Sequence, residues 1–342
     1  MKSCCENEEL AANNKDAVTI AAPRPIIVAL AGNPNSGKTT IFNALTGSRQ
    51  HVGNYPGVTV ERKEGRLRHA GRTINVVDLP GTYSLTAYSA EELVARSFLI
   101  EERPDVVVDI VDASNLERNL YLAVQFIELG VPLILALNMS DLAEARGCAI
   151  NVDLLSVLVG VPIIPTIGHK GQGIDDLKDA IVKMVQAGVV RRTVSISYDT
   201  RIERELTRIV SRLEQEFVAN SVPPGRHCHG CDGCCGQSPS AAAATRPGIR
   251  WLAVKLLEND EEVRLKVRKS ATNPQPILEA VESASRIVES AFGEAPEMAI
   301  ADGRYGFIAR ICREAVNTTG GPRRFLSDRI DGIVTHRILG IQ

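Results

Sequence analysis

Long apolar runs are missing from this chain of 342 residues. The longest, Leu154–Pro165, is about twelve residues and is interrupted by Ser156, Gly160, Pro162 and Pro165, whereas a spanning helix needs roughly 20. The chain as given is therefore not expected to cross a membrane. A secretory leader is missing too. The first 20 residues carry Glu6, Glu8, Glu9 and Asp16 and have no apolar core. An excess of one charge is also lacking, with 39 basic against 41 acidic residues and a net charge of −2. That balance argues against a protein that holds nucleic acid through a global basic field, so no nucleic-acid partner is expected. Aromatic residues are few, 4%. The hydrophobic fraction, 44%, is ordinary for a globular protein. The length suggests about two domains, with ample chain to bury a core.

The eight cysteines are unevenly placed. Cys4 and Cys5 stand near the N-terminus, Cys148 and Cys312 stand alone, and Cys228, Cys231, Cys234 and Cys235 cluster. A disulfide framework spreads its cysteines over a small secreted fold. Without a leader, reduced thiols in a cytosol are the expectation, with Cys148 and Cys312 as ordinary packed residues.

Residues 1–24 read as a loose, disordered tail. From Ile26 the pattern changes. IIVALAG (Ile26–Gly32) is a continuous apolar run, as suits a parallel strand buried on both faces. Similar runs recur at Ile74–Val77, Val106–Val111, Leu133–Leu137 and Val161–Ile164. Between them lie helical candidates at Ala90–Ile100, Leu116–Leu129 and Val152–Val159. Such alternation predicts an α/β sheet with right-handed crossovers. Thr59–Arg68 and Thr73–Asp78 are separated only by His69–Arg72, too few residues for a crossover, so this pair is expected to be an antiparallel hairpin. Near Gln186 the α/β pattern ends. Ile202, Leu206, Ile209, Leu213 and Phe217 then repeat at helical spacing, as do Leu278, Val281, Ile287, Val288 and Phe292, and later Ile308, Ile311 and Ala315. The division read from this is an α/β domain over 25–187, a linker over 188–198 and a helical domain over 199–342. A Pro-, Cys- and Ala-rich insertion at 222–248 interrupts the last.

Gly32-Asn33-Pro34-Asn35-Ser36-Gly37-Lys38-Thr39 fits G-x-x-x-x-G-K-[ST]. It follows a predicted strand and precedes a helix over Thr40–Leu45, which is the context the motif requires. Backbone N–H groups of such a loop cradle phosphates, helped by the helix N-terminus. Lys38 then reaches the β and γ phosphates and the Thr39 hydroxyl binds Mg²⁺. Asp78-Leu79-Pro80-Gly81 ends another strand, placing a carboxylate for Mg²⁺ and the Gly81 N–H as a γ-phosphate sensor. Asn138-Met139-Ser140-Asp141 follows a further buried strand. A carboxylate there accepts two hydrogen bonds from guanine N1–H and its 2-amino group, donors that adenine does not present. Alone, N-x-x-D is also a helix N-cap pattern; its order behind the other two motifs gives it weight.

Together these motifs resemble the translational-type GTPases. They resemble more closely the cytosolic head of the bacterial ferrous iron transport protein B family. The residues that carry this are Gly32–Gly65, Asp78–Leu85, Val111–Leu122 and Ala136–Ala143, then Arg250–Asp260 and Ser327–Ile341. Met139 stands where most GTPases have Lys. The resemblance implies a Ras-like P-loop GTPase domain with a mixed, mostly parallel sheet, followed by a small all-α helical domain. It makes Gly57-Val58-Thr59-Val60-Glu61 the second GTPase element, with Thr59 a Mg²⁺ ligand in the GTP state. Ser48–Val58 becomes switch I and Gly81–Glu92 switch II. Thr166-Ile167-Gly168 becomes the fifth guanine-contacting loop, with Gly168 in place of the usual Ala. Many GTPases place a water-orienting Gln after the glycine of switch II; this chain has Thr82 and Tyr83. The resemblance implies another device, in which Asn35 binds K⁺ beside the phosphates in place of an arginine finger. The residues alone also allow Asn35 to be a turn residue at positive φ. His51 reads as exposed loop polarity rather than as a base.

His227–Gly236 packs four thiols and two imidazoles into one loop. Soft ligands of this type select Zn²⁺ or Fe. The second ligand pair that structural zinc sites carry is missing, so a thiol-rich loop without a metal stays open beside metal binding.

The function expected is a cytosolic head that binds GTP or GDP with Mg²⁺ and K⁺ and hydrolyses GTP slowly. By the resemblance it regulates ferrous iron uptake through a membrane domain absent from this chain, at the cytoplasmic face of a bacterial inner membrane. A small FeoA-like protein and a second copy of the chain are further partners to consider. Two other readings compete. One is a soluble GTPase of ribosome assembly or RNA modification, for which the basic module is lacking. The other is a GTP-gated metal sensor with the Cys/His loop as its readout.

Overall fold

The structure is a computed structural model that describes residues 24–47, 50–55, 58–86, 88–188, 194, 196–217 and 248–318. The Cys/His cluster, residues 1–23, Gly57 and the Ser327–Ile341 segment lie outside them. In chain order the first part runs β1 (Ile26–Gly32), α1 (Lys38–Thr46), β2 (Gln50–Asn54), β3 (Glu61–His69), β4 (Arg72–Asp78) and α2 (Ala90–Glu101). It continues with β5 (Val106–Asp112), α3 (Leu116–Leu129), β6 (Leu133–Asn138), α4 (Ser140–Ala145), β7 (Cys148–Ile150), α5 (Val152–Val159), β8 (Ile163–Pro165) and α6 (Ile174–Ala187).

Seven of these strands form one sheet of order β2-β3-β4-β1-β5-β6-β8. The strands β4, β1, β5, β6 and β8 are parallel, while β2 and β3 are antiparallel additions, with β3 and β4 forming the expected hairpin. Alternation along β1 explains why its sequence is apolar throughout. Ile26, Val28 and Leu30 join a core layer with Ile41 and Phe42 of α1 and Leu177 and Ile181 of α6. Ala29 and Ala31 face the opposite layer, with Phe98 of α2 and Leu120 and Val124 of α3. Each large aliphatic chain so buried contributes about 1.5–3 kcal/mol.

Two strand assignments differ from the sequence pattern. The Val161–Ile164 run starts its strand only at Ile163, because Gly160 ends α5 at φ 77° and Pro162 has no N–H to donate to a ladder. The stretch read as switch I contains a strand, β2, paired along the outer edge of β3.

The second part holds α7 (Thr200–Phe217), α8 (Ile249–Leu257), α9 (Glu261–Ser270), α10 (Gln275–Phe292) and α11 (Pro296–Ala315), then β9 (Val316–Thr318). No helix of the described residues is long and apolar enough to cross a membrane. Ile196 and Tyr198, read as linker, are buried in the core. A Cβ on Gly303 of α11 would stand 2.6 Å from the Tyr198 ring, so glycine lets the two approach. Cys312 is buried as expected, which pushes its thiol up to about 12.

Of the contacts among the described residues that lock the two parts together, three polar joints stand out. β7 and β9 form a small antiparallel ladder, Cys148 opposite Thr318 and Ile150 opposite Val316. Arg96 of α2 donates to Asp260 at 2.5 Å and to Glu262. The same Asp260 carboxylate caps α9 by accepting from the Val263 N–H at 3.1 Å. The third joint is Arg304 of α11, fully buried between Glu128 of α3 and Glu258 at the end of α8. Arg304 donates to Glu128 at 2.8 Å and to Glu258 at 2.5 Å, and Lys255 lies 2.8 Å from Glu258. Burial raises the Glu258 carboxyl, but Arg304 and Lys255 outweigh it and hold the group below its ordinary range. Its contribution to stability is thus present above the unfolded carboxylate pKa and is lost as pH falls from there through the lowered folded-state pKa.

Arg304→Met leaves buried Glu128 without a cation and Glu258 with Lys255 alone, at a cost of about 3–5 kcal/mol in urea unfolding. Glu128→Gln in that background is expected to restore part of the loss, whereas Glu258→Gln is expected to deepen it, because buried Lys255 would lose its carboxylate. A loss below about 1 kcal/mol in the single variant would mean that water reaches the carboxylates, as at a surface pair.

Candidate functional site

The site lies at the C-terminal ends of the parallel strands, where α/β sheets bind ligands. β1 ends at Gly32, the loop 33–37 turns, and Lys38 opens α1. Gly37 must be glycine: its φ is 88°, and a Cβ there would stand 2.3 Å from the Asn138 amide nitrogen. Asn35 sits at φ 69°, in the left-handed region that Asn tolerates. Its side chain is exposed, as are those of Pro34, Thr39 and Thr40, while Asn33 and Ser36 are buried. Asn33 donates to the Arg118 carbonyl at 3.4 Å.

Asp78, at the end of β4, is buried and accepts a hydrogen bond from the Lys38 ammonium. Burial raises the Asp78 carboxyl, and Lys38 pulls it partly back. Tyr55, which follows β2, is buried beneath it and donates to the Asp78 carbonyl at 3.3 Å. Arg62 covers the Tyr55 and Phe98 rings at 5.3 and 5.5 Å. Leu79 N–H donates to the Leu30 carbonyl at 2.8 Å and Thr82 N–H to the Gly32 carbonyl at 3.4 Å. These bonds bring Gly81 against the loop, so that a Cβ on it would meet Pro34 at 3.5 Å. Beyond Gly81, Tyr83 lies under Arg118 at 4.5 Å. Ser84, Thr86 and Ser89 gather on Glu92, which closes a capping box on α2. Val58 and Thr59 stand exposed in the β2–β3 connection.

The 138–141 and 166–168 loops meet the phosphate loop at Asn138. Its amide donates to the Ser36 carbonyl at 2.9 Å, and its oxygen accepts from the Gly168 N–H at 3.0 Å. Thr166 Oγ1 is 3.5 Å from that oxygen, and Ser140 Oγ donates to the Leu137 carbonyl at 3.0 Å. One side chain therefore ties the phosphate loop, the 138–141 loop and the 166–168 loop together. Met139 adopts φ 60°, turning the chain so that Asp141 lies in the first turn of α4. Ile167 forms a bridge with Gln172. Asp141 carries Lys170 at 2.8 Å.

Four contributors were not singled out by the sequence reading: Tyr55, Arg118, Gln125 and Lys170. Gln125 of α3, fully buried, accepts from the Leu85 N–H at 2.5 Å, fastening switch II to α3. None sits in a phosphate-loop or guanine motif, and only three-dimensional placement singles them out. Among the described residues no group of three or more His, Cys, Asp or Glu side chains is arranged to hold a metal. The donor set at Thr39 and Asp78 is hard oxygen, which fits Mg²⁺ beside phosphates.

A glycine-rich loop on a strand-to-helix turn, a buried carboxylate against its lysine, and an Asn that binds three loops define a P-loop GTPase of Ras-like fold. The family models agree. One described as ferrous iron transport protein B matches residues 26–181, and one described as the FeoB cytosolic helical domain matches 238–317. The chain belongs to the ferrous iron transport protein B family. A variant of the S. thermophilus FeoB G-domain with GDP bound is 38% identical, with a TM-score of 0.70 over 85% of this chain and all of that one. The cytosolic domain of L. pneumophila FeoB is 30% identical, with a TM-score of 0.67 over 85% of this chain and 99% of that one. The Fe(2+) transporter FeoB of Salmonella typhimurium is 38% identical over 325 residues, 93% of this chain and 37% of that protein. A Porphyromonas gingivalis fusion of Fe(2+) transport protein A with FeoB is 39% identical over 97% of this chain and 37% of that protein. The chain thus spans a little over a third of the length of these curated relatives.

Proposed function

We propose that this chain binds guanine nucleotide and Mg²⁺, hydrolyses GTP with help from K⁺, and regulates ferrous iron passage through a membrane domain outside these residues. Asn138 carries the reading: it couples the loop that holds phosphate to the two loops that read the base. In this reading the phosphates lie on the N–H groups of Asn33–Thr40, with Lys38 leaving Asp78 to meet the β and γ oxygens. Thr39, Asp78 and Thr59 hold Mg²⁺, which when bound neutralises charge on the phosphate oxygens. Gly81 N–H senses the γ-phosphate, and Asp141 accepts the two donors of guanine. Leu79, Pro80 and Val58 shape the walls, and Ile167 and Gly168 present backbone to the base edge; Gly57, read from the sequence as a further nucleotide contact, lies outside the described residues.

The Asn35 oxygen is the K⁺ ligand in this reading. Phosphate release is then expected to be faster in KCl than in NaCl, with GTP but not ATP as substrate, and Asn35→Ala is expected to erase the salt difference. Equal rates in the two salts for the unaltered chain would sink the K⁺ role while leaving nucleotide binding standing.

Relatives named Fe(2+) transporters point to iron as cargo. The fusion relative points to a small FeoA-like protein as a partner. Such a head works at the cytoplasmic face of a bacterial inner membrane. Arg96, on the helix that follows switch II, joins that switch to α9 and so offers a path from γ-phosphate to the helical part. The four clustered cysteines, Cys228 to Cys235, complete the proposal as a site for Zn²⁺ or Fe.

A further inference from the structure

Asp141 is not alone on its loop. Its Oδ1 accepts from the Leu142 N–H at 3.1 Å, and its Oδ2 accepts from Lys170 Nζ at 2.8 Å, with His169 Nε2 3.9 Å from the same oxygen. Lys170 stands at the end of a short helical turn, Gly168–Lys170. That turn is itself pinned: Gly168 N–H donates to Asn138 at 3.0 Å, Lys170 N–H to the Ile167 carbonyl at 3.0 Å, and Ile167 pairs with Gln172. The carboxylate therefore rests between a backbone donor of its own helix and a cation fixed to the neighbouring loop. Each oxygen of an ionised carboxylate has two acceptor positions. One on each is filled, and one on each remains for the base.

We propose that Lys170 is a positioning residue for guanine recognition, holding the plane of the Asp141 carboxylate so that both oxygens meet N1–H and the 2-amino group at once. This rests on the reading of Asp141 as the guanine acceptor. The physical reason is rotational. A carboxylate held at one oxygen only turns freely about its Cβ–Cγ bond and aligns one acceptor at a time. Held at both, it presents a fork, and two parallel bonds form without further ordering cost. The Lys170 hydrogen bond also holds the Asp141 carboxyl below the ordinary carboxylate range. Nothing in the G-K-T, D-x-x-G or N-x-x-D motifs calls for a lysine at position 170.

The test compares GDP with inosine diphosphate, which keeps N1–H but lacks the 2-amino group. Both affinities are measured by competition against a fluorescent guanine nucleotide in the intact chain with Mg²⁺. Lys170→Met is expected to weaken GDP about three- to fivefold, the scale of an exposed charged pair, and to change inosine diphosphate less. The ratio of the two affinities then shrinks. Lys170→Arg, which keeps a donor on the same oxygen, is expected to restore the ratio. A lysine that only supported the loop would weaken both nucleotides alike and leave the ratio where it was, which would overturn the proposal. Asp141→Asn separates the two levels. If that variant collapses the ratio while Lys170→Met does not, Lys170 alone loses its role. If Asp141→Asn leaves the ratio unchanged, the base-reading assignment falls and the proposal with it.

Discussion

Lys38→Met is expected to slow GTP hydrolysis by about 10²–10³-fold in single-turnover phosphate release, the cost of removing one preorganised charge from a developing oxyanion. The argument begins with where the ammonium is held. Lys38 opens α1 at the mouth of the phosphate loop, and in this structure its ammonium donates to Asp78. Both groups are shielded from water. In the proposed reading the lysine has two tasks, and the variant separates them. Toward phosphate it is a point charge that no neighbour replaces, since Thr39 and Thr40 are neutral and Asn35 offers an oxygen. Toward Asp78 it offsets burial, which otherwise raises that carboxyl. Removing the ammonium lets the carboxyl rise further, so Lys38→Met loses stability as well as rate. The double variant Lys38→Met, Asp78→Asn is expected to regain the thermal stability and none of the hydrolysis. Phosphate release within about tenfold of the unaltered chain would exclude Lys38 from the reacting phosphates.

A second large effect comes from a residue the mechanism does not use. Asp109 lies in the middle of β5, paired with Ala31 of β1 and Leu135 of β6. It is 1% exposed, and its Oδ2 has no partner. Burial alone pushes this carboxyl up to about 8, from an ordinary 3.8. The folded state therefore holds a proton that the unfolded chain releases above pH 4. Because the native state binds more protons in that interval, stability falls as pH rises, and it levels off above pH 8. The difference between pH 5 and pH 8 comes to roughly 4 kcal/mol from these two values. Asp109→Asn removes the titration while preserving shape. Urea unfolding of the variant is expected to be more stable than the parent by about that amount at pH 8 relative to pH 5. Identical pH profiles for the two chains would show that a cation or water satisfies the carboxylate in solution. The sign is opposite to that of Glu258, whose depressed carboxyl loses its contribution on the acid side.

Much of the fold was legible because its signals are local. Leu116–Leu129 and Val152–Val159 match their helices residue for residue, and Ile26–Gly32 matches its strand. Each is bounded by a glycine, an Asn cap or a change of period. The hairpin was legible from the length of its connection. What escaped was short or distant. β7 and β9 are three residues each and pair across a long stretch of chain; no local pattern announces a partner so far away. Ile196 and Tyr198 looked like linker because an apolar residue between polar ones does not reveal what it will be buried against. Arg96, Arg304 and Glu128 are charged helix residues, a type seldom fully buried, and nothing in their spacing sets them apart. Their burial follows from how α2, α3, α8, α9 and α11 pack.

The sequence by itself determined the parallel strands and the hairpin of the sheet, the phosphate loop and the order of the nucleotide motifs. These depend on backbone turns and on apolar runs buried on both faces, which are written in consecutive residues. Only the tertiary structure decided that Asn138 joins three loops and that Lys170 meets Asp141. It alone also showed Arg96 and Arg304 bolting the helical part to the sheet. Those are contacts between residues far apart in the chain, where the cost of burying a charge is met by a partner that no spacing rule predicts.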